Sequence, residues 1–596
     1  MTLQFVDWIS IIVFFIISLA IGVIVSKRAG KSAAEFFASG RSMPWWLLGV
    51  SMVATTFSAD TPNLVTDMVR QHGVAGNWMW WAFLLTGMVT VFIYSKLWRR
   101  SKVLTDIEFY ELRYSGKMAA FLRGFRALYL GVFFNVVIMA TVMLAAIKIG
   151  GVIMGVSPVK TVLVMSVIVV TYSLMGGLRG VLITDFFQFI IAMTGAVLAA
   201  IVVLKLPQVG GLSGLFSNPN VSSKLSILPD FSDTTLVMTV FIIPLAVQWW
   251  SVWYPGAEPG GGGYIAQRML AAKNERHAVG ATLFFNIAHY ALRPWPWIIV
   301  ALASIVVFPD LGALHQAFPH VADNIVRNDL AYSAMLTFLP AGLLGLVIAS
   351  LIAAVMSTIS THLNWGASYV VNDFYKRFVV KNPSEKQLVF MGRISIIVLM
   401  IFAAFLALFL QNALQAFNIL LQIGAGTGLL FLLRWFWWRI NAASELAAMV
   451  ISFLVAVYFE FVHAHTGLAP LLSWQKLVIG VGITTVGWML VTFLTKPADF
   501  SVLVDFCRKI HPGGPGWKIV MEKAEKSGVD LSAFSGKWDV PAGLLGVFFG
   551  TVMVYSMLFS IGFWLYGNVS AALLTSLSAV AAVIFLLRVW KRFETD

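Results

Sequence analysis

Of the chain's 596 residues, 59% are hydrophobic and 11% charged, and the mean hydropathy is +0.86. Soluble globular chains carry about a quarter charged residues, and 46 Phe with 22 Trp would not stay solvated in a disordered chain, so both classes are excluded. A formal charge of +14 would direct a soluble protein toward nucleic acid; on a chain this apolar it bears on which loops face the cytoplasm, and no nucleic-acid partner is expected. The single cysteine, Cys507, excludes an internal disulfide and a cysteine metal cage. The composition is that of an all-α integral membrane protein.

A helix crosses the hydrocarbon core with about 20 apolar residues. Such segments lie near 6–26, 44–70, 77–98, 120–150, 158–175, 180–205, 235–256, 279–308 and 333–372, then near 388–411, 416–435, 443–463, 475–494, 541–566 and 569–590, which predicts fifteen spans. The first is not expected to be a signal peptide, because its basic residues Lys27 and Arg28 follow the apolar run and do not precede it. With the N-terminus outside, 33 of the 41 Lys and Arg fall in cytoplasmic segments and seven on the other side, so the expected protein is a multi-pass protein of the inner (plasma) membrane, N-terminus out and C-terminus in. Residues 1–43 then supply a peripheral helix and loop, 206–234 an extracellular loop, 436–495 two peripheral helices, 496–540 a cytoplasmic insert, and 541–596 two last helices and a tail. The insert, with Arg508-Lys509 and a turn-rich His511–Trp517, reads as packing material or as a partner-binding element.

Spans 44–205 form five helices starting at the cytoplasm, and spans 235–435 form five starting outside. Such groups can be related by a two-fold axis in the membrane plane, an inverted five-helix repeat. The first helix of each is interrupted, by Ser51-Met-Val-Ala-Thr-Thr-Phe-Ser-Ala-Asp-Thr-Pro62 and by Tyr254-Pro-Gly-Ala-Glu-Pro-Gly-Gly-Gly-Gly263. Freed carbonyls in lipid need partners, and a cation, a polar solute or a local Ser or Thr can serve.

Within the spans, Ala354, Ser357, Thr358 and Thr361 recur at i, i+3, i+4 and i+7 and share a helix face, with Ser360 beside it. Their hydroxyls suit either a weakly held alkali cation or small-residue helix packing. Asp185 opens a span and could pair with Arg179 at the interface; Asp60 is deeper, where a carboxylate reads as functional. Arg293, in His289-Tyr-Ala-Leu-Arg293-Pro-Trp-Pro-Trp297, could bridge to Asp60 or Glu258, or hold a solute carboxylate or hydroxyl. Gly260–Gly263 lacks the Lys-Ser/Thr of a phosphate loop, and no catalytic arrangement stands out, so no enzyme is expected.

These residues resemble the sodium/solute symporter family, which includes sodium-coupled sugar, proline and sialic acid carriers, from about residue 6 to 495. The resemblance rests on ordered motifs: Phe36-Phe-Ala-Ser-Gly-Arg-Ser-Met-Pro-Trp-Trp46, Leu104-Thr-Asp-Ile-Glu-Phe-Tyr-Glu-Leu-Arg-Tyr114, Gly176-Gly-Leu through Thr184-Asp185, Gln267-Arg268, and Ala354 through Thr361 followed by Asp373-Phe-Tyr375. It implies a core of the leucine-transporter type and a sodium site formed by carbonyls of Ala54, Phe57 and Ala354 with hydroxyls of Ser357 and Thr358. The second sodium site of some members would correspond to Asp185, Ser360 and Thr361 with Ser357 nearby, so one sodium ion is expected per cycle and two if this site is used. The chain departs from the sugar carriers where solute is chosen: it has Asp60-Thr61 in place of Glu-Gln, and Pro255–Gly263 in place of aromatic and amide positions. The expected solute pocket comprises Thr56, Ser58, Asp60 and Thr61 with Trp250, Glu258 and Arg293. Acidic groups and aromatic faces favour a sugar-like solute; a carboxylate or amino acid held by Arg293 is the alternative, and a transporter-fold sensor or channel is the reading from a different class. Lipid, sodium and a small solute are the expected partners, with oligomeric state left open.

Overall fold

Hydrocarbon offers the backbone no hydrogen bonds, so a spanning chain must satisfy its amides internally. The computed structural model of the protein describes residues 3–29, 32–56, 58–250, 259–323, 325–410, 420–531 and 538–593. Among these residues the β pairing is one isolated bridge between Met43 and Ala272, and the rest of the regular structure is helical. The elements used below are α1 (Phe5–Ala29), α2 (Trp45–Thr56), α3 (Asp60–His72), α4 (Val74–Ser101), α5 (Gly116–Met154), α6 (Pro158–Leu204), α7 (Thr234–Ala246), α8 (Gly263–Ala271), α9 (Glu275–Val307), α10 (Leu343–Val379), α11 (Glu385–Ala407), α12 (Gly428–Leu433), α13 (Ala442–His465), α14 (Ser473–Leu494), α15 (Phe500–Ile510), α16 (Lys518–Lys526), α17 (Val540–Leu565) and α18 (Val569–Phe593).

Ten helices among the described residues are long and apolar enough to cross a membrane, and four shorter apolar stretches, Phe5–Ser18, Trp45–Thr56, Pro158–Leu174 and Thr234–Ala246, accompany them. The difference from fifteen has identifiable causes. The span expected at 44–70 appears as α2, ending at Thr56, and α3, starting at Asp60, each shorter than a bilayer. The spans expected at 158–175 and 180–205 are seen as the two arms of α6, Pro158–Leu174 and Gly177–Leu204, separated by a kink at Gly177, whose φ of 52° and ψ of −163° only glycine adopts without strain; the first arm is too short to count among the ten. The span expected at 333–372 splits into a short helix, Leu330–Leu336, and α10. Residues 411–419 and 251–258 lie outside the described residues, so only the later part of the 416–435 span and the earlier part of the 235–256 span are seen.

The first of the broken helices occupies the centre. α2 packs on α6, α9 and α10, and α1 packs across α6 and α10 from outside. Asp7 of α1 ties the two layers together, its Oδ1 accepting hydrogen bonds from the Gly342 and Gly345 amides at 2.7 Å each and so capping the N-terminus of α10. A side chain at Gly345 would collide with the Asp7 backbone, which is why the crossing needs a glycine there. Large apolar side chains on α1, α6, α11, α14 and α18, such as Ile16, Val167, Phe405, Leu490 and Leu577, stay exposed. An uncovered belt of that extent belongs against lipid.

The described part of residues 496–540 packs against the rest of the molecule. α15 buries Leu503, Phe506, Cys507 and Ile510, and the buried Trp517 donates from Nε1 to the Trp435 carbonyl at 2.9 Å. The Arg113 guanidinium is held among the rings of Trp517, Phe506 and Tyr114 at 4.9, 5.3 and 5.3 Å.

Candidate solute cavity and cation site

Breaking a helix exposes its last carbonyls, and at the end of α2 those of Val53, Thr55 and Thr56 find side chains from other elements. Arg293 of α9 donates from Nη1 to the Val53 carbonyl at 3.2 Å and from Nη2 to the Thr56 carbonyl at 2.8 Å. A guanidinium at a helix C-terminus also meets the negative end of the helix dipole. The Thr55 carbonyl accepts from Thr358 Oγ1 of α10 at 2.7 Å. Arg293, left open between an ionic bridge and a solute contact, therefore caps the broken helix, with its guanidinium 5.2 Å from the Trp297 ring.

Beside this break lies a cavity of about 120 Å³, lined by Thr56, Ser58, Asp60, Thr61 and Arg293 of the expected pocket. Asp60 starts α3, and its buried Oδ1 has no hydrogen-bond partner among the described residues. Trp250 does not line the cavity; its Nε1 donates to the Ala246 carbonyl one turn earlier at 2.9 Å and its ring packs against the Ile243, Ala425, Leu477 and Val481 cluster. Glu258 lies outside the described residues. Sequence reasoning missed Trp80, Tyr264, His289 and His362, all of which line the cavity. His289 Nδ1 is 3.2 Å from Thr56 Oγ1, and its ring meets that of Trp80 edge-on at 5.5 Å. His289 stands one helical turn before Arg293 in the quoted motif, so helical spacing was the signal for it. His362 is held by Asn135, whose Oδ1 lies 2.6 Å from Nδ1.

The residues expected to hold sodium meet where α2 approaches α10. Ala54, Ala354, Ser357 and Thr358 are buried there; Phe57 lies outside the described residues. Thr358 Oγ1 gives its proton to the Thr55 carbonyl and Ser357 Oγ gives its proton to Asp185 Oδ1 at 2.7 Å. Each hydroxyl oxygen thus keeps its lone pairs for a cation, so the donor set fits a hard alkali ion.

Of the expected second set, Asp185 and Ser357 are in contact, Ser360 Oγ donates to the Ser357 carbonyl at 3.1 Å and, like Thr358, keeps its lone pairs, and Thr361 Oγ1 accepts from Arg268 Nη2 at 2.7 Å. Ser51, not anticipated, donates to the other Asp185 oxygen. The pairing of Asp185 with Arg179 gives way to Arg268 Nη2, 3.8 Å from Asp185 Oδ2 and, like it, fully buried. No group of three or more His, Cys, Asp or Glu among the described residues is arranged to hold a metal.

The sodium:solute symporter family profile matches residues 36–452. The chain is 25% identical over 478 residues to the sodium/glucose cotransporter of Vibrio parahaemolyticus, covering 77% of this chain and 86% of that one. It is 26% identical to the sodium/sialic acid symporter SiaT of Proteus mirabilis, over 76% of this chain and 89% of the relative. A solved structure of a substrate-bound, outward-open Na+-coupled sialic acid symporter superposes with a TM-score of 0.66 at 23% identity, covering 83% of this chain and 99% of that one. With most of its length matched and its fold shared, the chain belongs to the sodium:solute symporter family, a family of transporters and not of enzymes.

Proposed function

We propose that the protein carries a small, neutral, hydroxyl-rich solute of the sugar type into the cell together with sodium. The observation that carries the solute class is the pairing of Asp60 and Arg293 at one cavity. Both terminal guanidinium nitrogens of Arg293 are engaged with α2 carbonyls, whereas Asp60 Oδ1 is a buried acceptor with no hydrogen-bond partner among the described residues. A buried acceptor calls for a donor, which hydroxyls supply and a solute carboxylate does not. Trp80 adds an aromatic face of the kind that packs on a sugar ring. The similarity to a sodium/glucose cotransporter supports the same class.

In this reading residues 44–205 and 235–435 are the two inverted repeats, each opening with a broken helix. The N-terminus lies outside, 206–234 is extracellular, 496–540 is cytoplasmic, and 1–43, 436–495 and 541–596 are peripheral. Sodium at Ala54, Phe57, Ala354, Ser357 and Thr358 bridges α2 to α10 and completes the wall of the cavity that Thr358 shares. Alternating access then exposes both ligands to the cytoplasm, where low sodium favours release. A potential of 100 mV contributes about 2.3 kcal/mol per charge moved, so accumulation needs no ATP.

The test is uptake of labelled hexoses by proteoliposomes with an imposed inward sodium gradient. Uptake that rises with the gradient and is competed by neutral sugars is expected. Transport indifferent to sodium would remove the coupling, and stronger competition by uronates or amino acids would reassign the solute to a carboxylate.

A further inference from the structure

Asp185 is a fully buried carboxylate already paired with a cation that belongs to the protein. Its two oxygens accept from Ser51 and Ser357, on α2 and α10. Arg268, on α8, reaches across the same three elements: Nε and Nη2 donate to Ser51 Oγ at 3.2 and 3.1 Å, and Nη2 also reaches Thr55 Oγ1 at 3.3 Å and Thr361 Oγ1 at 2.7 Å. The guanidinium therefore lies among the oxygens that would surround a second sodium and 3.8 Å from their one negative charge. Two cations within about 4 Å in a buried site repel strongly, and one carboxylate balances only one of them. The contact to Asp185 is loose and relayed through hydroxyls that can also coordinate sodium, so the guanidinium can leave without stranding an unpaired carboxylate once sodium has arrived.

We infer that Arg268 is a tethered counter-cation which a second sodium must displace from Asp185, so that α8 moves according to the occupancy of that position. The inference rests on sodium symport as proposed above. The consequence for transport lies in what else α8 carries: Tyr264, which lines the solute cavity, and the Gly263 amide, which donates to Asp106 Oδ2 at 2.8 Å in the connection between α4 and α5. Displacing Arg268 thus acts on the cavity wall and on that connection together. Arg268 is a positioning residue in this scheme and touches no solute.

Equilibrium binding of radioactive sodium to purified protein, without solute, tests this. Wild type is expected to bind one sodium tightly and a second weakly. R268Q, which keeps a polar side chain but removes the resident charge, is expected to bind the second about tenfold more tightly or better, and adding D185N to R268Q is expected to abolish that gain. An R268Q isotherm superimposable on wild type, or a gain that survives D185N, overturns the inference. Absence of any sodium binding to wild type would instead remove the symport reading on which it rests. Hydrogen–deuterium exchange of residues 263–271 in wild type provides the same test without a variant: exchange should rise several-fold as sodium replaces potassium, and constant exchange through the titration overturns displacement.

Discussion

Arg434 lies 4.7, 4.8 and 5.6 Å from the rings of Phe109, Phe431 and Tyr110 and faces Glu445 Oε2 at 3.4 Å, whereas Arg268, equally buried, meets Asp185 at 3.8 Å amid Ser and Thr hydroxyls. The surroundings decide what each pair can do. Aromatic faces attract the guanidinium but give no ligand set to an incoming alkali ion. Around Arg434 the remaining groups close the pair further: Tyr114 donates to Glu445 Oε1 at 2.6 Å, and Arg113, clamped by the insert, donates from Nε to the Arg434 carbonyl at 2.9 Å. Hydroxyls, by contrast, can turn a lone pair to either cation. One ion pair fastens the end of α12 to α13 beside the 496–540 insert; the other is built to exchange.

The most damaging way to probe the fastened pair is E445Q. It leaves Arg434 buried without its charge partner, and breaking such a pair costs about 3–5 kcal/mol. A large fall in the unfolding temperature in detergent is expected, with the sodium affinity of the folded remainder unchanged. An altered sodium affinity would show that the two clusters are coupled and would end the distinction drawn here. T358A tests the other side. Losing the hydroxyl that joins α2 to α10 should raise the half-saturating sodium concentration for uptake about tenfold, equivalent to about 1.4 kcal/mol, with the unfolding temperature shifting far less than in E445Q. A stability loss as large as that of E445Q with unaltered sodium dependence would make Thr358 a packing residue.

D7A comes next in size. Removing a helix N-cap costs about 0.5–2 kcal/mol, and the cap here lies at the start of α10, whereas Ser357 to Thr361 lie near its middle. A modest drop in unfolding temperature is expected, with a smaller rise in half-saturating sodium than T358A produces. A sodium effect exceeding that of T358A would mean that α10 is aligned chiefly from its N-terminal end.

How much of this was readable in the chain follows from the range of each interaction. The stripe Ala354, Ser357, Thr358 and Thr361 is set by helical periodicity and was legible. So was the break at Ser51–Pro62, where local composition interrupts the helix. Arg268 at Asp185 was not, because the contact joins elements far apart in sequence: Arg268 and Ser51 are 217 residues apart along the chain. Ser360 entered the second sodium set through the family resemblance; that its hydroxyl donates back to its own helix is a choice among rotamers that sequence does not fix. Trp250 was assigned to the pocket as an aromatic face, but where its side chain goes is set by packing, and the indole turns back to Ala246. Part of the gap between ten and fifteen spans has the same origin as the site: α2 and α3, the two pieces of a broken helix, are each too short to register as a span.

The smallest expected effect concerns Cys507, which sits under α15 on the fastened side. Burial pushes its thiol up to about 12 from an ordinary value of 9.0, against a smaller opposing pull from Arg113. At pH 8 almost none of it is thiolate, the form that reacts with maleimides, so the native protein should label only as fast as the insert opens. The sign of the pH effect on stability follows from the raised value. An unfolded chain loses the thiol proton above pH 9 while the folded chain holds it, so this group's contribution is intact below that point and declines as pH climbs toward 12. C507A should leave stability near neutral pH almost unaltered and flatten that alkaline decline. Rapid labelling of native protein at pH 8 would show the insert to be loosely held, and with it the sandwich around Arg113 that distinguishes the fastened pair from the exchanging one.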